Sequence, residues 1–110
     1  MIPAKKIIAK RHDSRTVEII AREAAQFIVR EAGEESLITV IRAQSVAHGE
    51  RVLVFVSVFP VEKARAALAF LERQRGTFSD YLKNHTLLSS LPHIDFLLDN
   101  GELSGGQGGN

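Results

Sequence analysis

Arg73, Arg75 and Lys83 carry the chemistry this chain most plainly offers, and that chemistry is the capture of phosphate. A guanidinium presents planar forks that match phosphate oxygens, and an ammonium adds a point charge. Gly76 sits among them and, lacking a Cβ, lets another backbone come close. A second basic group, Lys5, Lys6, Lys10 and Arg11, opens the chain. Each group also has a plainer reading. Gln74-Arg75-Gly76 can be a helix C-cap whose basic residues suit the dipole, and residues 1–12 can be a solvated terminus. The residues alone leave both readings open.

Other chemistries find less support. His12, His48, His85 and His93 sit in four different local contexts and form no metal-ligand pattern. Ser45 and Ser57 lack the glycines of a nucleophile elbow and read as strand residues. Asp95 and Asp99 lie four apart on one strand face, where an exposed sheet edge explains them without catalysis. The one glycine cluster, at 105–109, is followed by no helix and so builds no phosphate loop. The expectation is no enzyme, no catalytic residue, no metal, no cofactor and no small-molecule substrate. Tyr81 is the single tyrosine and tryptophan is absent, so platforms for stacking unpaired bases are scarce. Backbone contact rather than base-specific readout is the expected mode.

Charge is unevenly spread along the chain. Within residues 1–15, five basic side chains (Lys5, Lys6, Lys10, Arg11 and Arg15) face one acid, Asp13, a charge of +4. The remaining 95 residues hold nine basic and twelve acidic side chains, a charge of −3. A basic arm on a mildly acidic body suits a phosphate-seeking element. Hydrophobic residues at 45% and charged residues at 25% are ordinary globular usage. A chain of 110 residues is most simply one domain that buries roughly two thirds of its unfolded surface. The absence of cysteine excludes disulfides and thiolate metal sites and points to a reducing cytoplasm. No apolar run reaches the roughly 18 residues of a membrane helix, and no signal-peptide core follows the basic start.

The elements that must position these residues are written in the periodicity. Val52, Val54, Val56 and Val58 share one face of a strand over 51–59, with Leu53, Phe55 and Phe59 on the other. A strand apolar on both faces is central in its sheet or covered on both sides. Residues 37–46 form its antiparallel partner, joined through Ala47-His-Gly-Glu50 with positive φ at Gly49. Before them, Asp13 or Ser14 caps a helix running to about Ala32, with Val17, Ile20, Ala21, Ala24, Phe27 and Ile28 as its stripe and Gly33 as a left-handed terminator. After them, Pro60 sets the start of a helix over 61–75. That helix bends at Gly76, and Thr77, with Asp80 three residues on, caps a new one to about 85. The alternative is one longer helix that tolerates the glycine. Pro92 precedes a third strand at 93–98, paired beside one of the first two. Residues 1–12 read as a flexible basic arm, and 101–110 as a flexible glycine-rich tail around a domain at 13–100.

The resulting order, helix-strand-strand-helix-kink-helix-strand, resembles the ribosome-binding factor A family over about residues 10–102. The similarity is carried by Leu37-Ile-Thr-Val-Ile, by Val52-Leu-Val-Phe-Val-Ser-Val-Phe, by Gly76 with Leu82, and most specifically by Leu91-Pro92-His-Ile94-Asp-Phe96-Leu-Leu-Asp99. The chain departs from the family at Gln74, where alanine is usual, and at Ser79, Leu87, Leu88 and Ser89, where arginine is usual at Ser79 and around the other three. The resemblance implies an α+β, type II KH-like fold with a three-stranded sheet packed by helices. It also implies a monomeric cytoplasmic factor that docks on ribosomal RNA of the small ribosomal subunit and assists late maturation and rRNA processing. In such folds a helix start beside the kink points free N–H groups at the sugar-phosphate backbone. Arg73, Arg75, Gly76 and Lys83 occupy that corner, helped by Lys5, Lys6, Lys10 and Arg11. The alternative is a KH-like protein-interaction module with little RNA affinity, which the missing arginines and acidic body suit.

Overall fold

The computed structural model describes residues 14–88 and 90–99. Helix α1 spans Ser14–Glu31 and buries Ile20, Ala24, Phe27 and Ile28, most of the stripe read from the sequence. Strand β1 (Leu37–Val46) and strand β2 (Arg51–Phe59) pair antiparallel, from Leu37 opposite Phe59 to Val46 opposite Arg51. Helix α2 spans Ala64–Arg73, helix α3 Arg75–His85, and strand β3 His93–Leu98. All three strands have the bounds that alternation and turn residues predict.

The sheet is open and mixed, in the order β1-β2-β3. β3 lies parallel to β2, with Arg51 beside His93 and Val56 beside Leu98. β2 is thus central, one of the two options left by its sequence. Helices cover one face of the sheet: α1 lies over β1 and β2, and α2 over β2 and β3. α3 touches α1, α2 and β3. Val52, Val54, Val56 and Val58 point into this layer and meet Ile20, Phe27, Leu71, Phe78, Leu82, Ile94 and Phe96 in one core. Full burial of each large apolar side chain stabilises by roughly 1.5–3 kcal/mol. Phe78 is the hub of the aromatic part, with ring centroids 5.1 Å from Phe27 and 6.0 Å from Phe96.

Among the described residues no helix covers the opposite face, and a β-bulge arranges it. The register jumps between Val40 (opposite Val56) and Arg42 (opposite Phe55), leaving Ile41 unpaired. Were Ile41 instead paired regularly with Phe55, Arg42 would fall opposite Val54 and point inward. With the bulge, the Arg42 guanidinium lies 3.9 Å over the Phe55 ring and 3.4 Å from the Asp99 carboxylate.

Several local expectations need correction. Pro60 does not open an α-helix directly: extended at φ −73°, ψ 156°, it precedes one 3-10 turn, Val61–Lys63, and α2 begins at Ala64. Gly33 is no left-handed terminator, for Gly49 (φ 87°) is the one described glycine with positive φ. The hairpin turn takes more left-handed backbone than foreseen, since Ala47 (φ 55°) and His48 (φ 56°) adopt it too. That sense matches the right-handed twist of the strands, at a cost of about 1–2 kcal/mol per non-glycine residue.

The break between α2 and α3 falls at Gln74, not at Gly76, and Thr77 caps nothing. Gln74 has φ −91° and ψ 1°, a conformation open to any residue, so no glycine is required. Its N–H is shared between the carbonyls of Phe70 and Leu71, at 3.1 Å each, as a closing turn tightens. Its own carbonyl accepts the Phe78 N–H at 2.8 Å, which starts the next helix. Gly76 is simply the second residue of α3.

Candidate nucleic-acid interface

α3 brings Gly76, Ser79 and Lys83 onto one face, because residues three and four apart share a side of a helix. Opposite that face runs the segment Leu91-Pro92-His93-Ile94, which leads into β3. Between them lies a groove of about 430 Å³, with Arg75 at its head. Its ionisable lining is Arg75, Lys83 and His93, and none of the described lining residues is a carboxylate. The first turn of α3 holds no acidic side chain of its own, and Gln74 provides no side-chain cap. A Cβ added at Gly76 would meet nothing within 4 Å, which leaves the groove wall open at that point.

The head of the groove is held by an ion-pair cluster. Arg75 Nη1 donates to Asp95 Oδ1 at 2.7 Å, and its Nε lies 3.8 Å from Glu72. Arg51 also donates to the Asp95 carboxylate, and His93 Nε2 stands 3.2 Å from it. Partial burial alone would raise the Asp95 carboxyl. The Arg51 bond, the charges of His93 and Arg51, and the Arg75 bond outweigh burial and hold it below its ordinary value. The cluster fixes the direction of Arg75 and at the same time offsets part of its charge.

The structure therefore unites three of the four core site residues expected from the sequence: Arg75, Gly76 and Lys83. Arg73 lies apart, lining a different groove of about 380 Å³ with Lys63, Phe70 and Glu35. Lys5, Lys6, Lys10 and Arg11 lie outside the described residues. Arg51 and His93 were missed. His93 and Asp95, two apart in a strand, were a signal within reach. Arg51 joins them only through the parallel register of β3 on β2, which no local pattern encodes.

Tyr81 is out of reach for base stacking. It is buried, donates its hydroxyl to Glu23 Oε1 at 3.0 Å, and lies beneath Arg30 at 4.9 Å. Burial first, then the bond to the Glu23 carboxylate, raises its phenol above the ordinary value. Among the described residues no group of three or more potential ligands could hold a metal ion, and no helix is long and apolar enough to cross a membrane. Compared with known proteins, the chain matches no family model and no curated sequence.

Proposed function

We propose that the chain is a KH-like docking module of the ribosome-binding factor A type. It binds small-subunit ribosomal RNA and assists late maturation of that subunit, as a monomeric, non-enzymatic factor of the cytoplasm. The observation that carries this reading is the groove at Arg75. A helix start, a glycine without a neighbour on its Cβ side, and three basic side chains line one channel, with no carboxylate among its described lining residues. A sugar-phosphate backbone is the ligand that uses all three. The mixed three-stranded sheet under helices, with a broken helix leading to a parallel third strand, supports the KH-like part. Such a factor needs no turnover of its own; differential affinity for two RNA conformations suffices.

A second reading is a protein-interaction module with little RNA affinity. The Arg75 pairs with Asp95 and Glu72 favour it, because a neutralised arginine draws phosphate less strongly. Filter binding of single-stranded RNA at low and moderate salt separates the two. RNA docking predicts a steep loss of affinity with salt and co-sedimentation with small ribosomal subunits on a sucrose gradient. A flat salt response with no co-sedimentation would leave the interaction module.

A further inference from the structure

We propose that the end of the sheet opposite the Arg75 groove is a docking surface for a protein segment carrying large apolar side chains beside lysine or arginine. β2 separates the two surfaces: from Arg51 to Phe59 it runs about 26 Å at ~3.3 Å per residue. At the Phe59 end, four large apolar side chains stand in solvent: Val29 is 79% exposed, Leu37 65%, Phe59 72% and Val61 59%. They are neighbours by construction. Leu37 and Phe59 are cross-strand partners, and Val29, Leu37, Phe59 and Pro60 line one groove of about 460 Å³. Scattered exposed apolar residues need no explanation, but a contiguous set around a groove marks an interaction site.

Charge selects the occupant. The charged residues lining this groove are Glu34 and Glu35. Glu31 stands at the end of α1 and Glu62 beside Val61, and all four glutamates are exposed. Among the described residues none of the four has an ion-pair partner. Lys63 and Arg73 line the adjoining groove, and even with them the carboxylates are in excess. A nucleic acid or an anionic membrane is repelled here, and a second copy would set these carboxylates against their own kind. A segment with cationic side chains flanking leucine- or isoleucine-sized ones meets both demands: the apolar part fills the groove and the cations pair with the glutamates. This surface is independent of the RNA reading.

The test uses the full chain and fluorescently labelled synthetic peptides that alternate lysine with leucine, lysine with serine, or glutamate with leucine. The lysine–leucine peptide should bind, and the other two should not. Leu37→Ser with Phe59→Ser, both on exposed positions, and separately Glu34→Lys with Glu35→Lys, should each weaken binding by about tenfold or more. Equal binding by the lysine–serine peptide, or affinity that survives both double variants, overturns the proposal. So does sedimentation showing a dimer that the serine variant dissolves, which makes a second copy the occupant. If the peptide binds only after residues 1–13 are deleted, the chain's own basic segment occupies the surface and the proposal fails.

Discussion

Arg75, the first residue of α3, and Asp95, in the middle of β3, meet at 2.7 Å across 20 positions of sequence. One carboxylate thus ties the helix start to the edge of the sheet, and Arg51 grips it from the central strand. The relationship cuts both ways: it orients the arginine that heads the groove and competes for it.

Replacing Asp95 with asparagine should tighten RNA binding, since Arg75 and Arg51 would no longer face a negative charge. The same change should cost about 1 kcal/mol of stability at neutral pH, a modest figure because both arginines are well exposed. The Asp95 carboxyl is held below its ordinary value, so its stabilisation is complete above about pH 4. It fades as pH falls through the lower folded-state value. Urea unfolding of the two proteins should show a gap at pH 7 that closes in acid; a gap that widens in acid contradicts this sign.

Gly76→Ala separates structure from binding. Gly76 is helical and exposed, and an added methyl meets nothing, so the variant should be about 0.5–1 kcal/mol more stable to denaturant. RNA affinity should fall at the same time, because the methyl enters the groove. A gain in both would place the RNA elsewhere.

The two grooves predict unequal roles for the basic residues. Arg75→Gln with Lys83→Gln should make the log–log salt slope for single-stranded RNA shallower by about 1.4, at roughly 0.7 per lost contact. Arg73→Gln should leave the slope nearly unchanged, since Arg73 lines the other groove. Equal effects from both would return Arg73 to the site.

The bulge makes an unusual deletion tolerable. Val40 pairs with Val56 and Arg42 with Phe55, so removing Ile41 leaves every pair of the ladder in place. The protein should lose no more than about 1 kcal/mol, the scale of a surface change. Deleting Leu53 from the unbulged β2 should unfold it, because every side chain beyond the cut would change face. Thermal melts of the two deletions check the contrast.

Strand bounds were legible because the signals were local. Val52 to Val58 alternate, Gly49 takes the turn, and Pro92 separates a helix from an alternating run. The helix break was misplaced for an equally local reason: glycine punctuates most helices, and here Gln74 performs the bend with an ordinary conformation. Arg73 and Arg75 were grouped by proximity along the chain, although the break at Gln74 puts them on different helices, α2 and α3. Arg51 was illegible because its partners come from β3, and parallel pairing is decided by the assembled core.

The parallel placement of β3 also sets an order of events in time. Of the two walls of the Arg75 groove, one rides on α3 and the other leads into β3, whose ladder to β2 begins between Arg51 and His93. A hairpin closes quickly through neighbours, whereas this pairing must wait for a long intervening loop to close around two helices. In refolding experiments, recovery of ligand capture should therefore trail the formation of the β1–β2 hairpin, and competence should be the last property the molecule acquires.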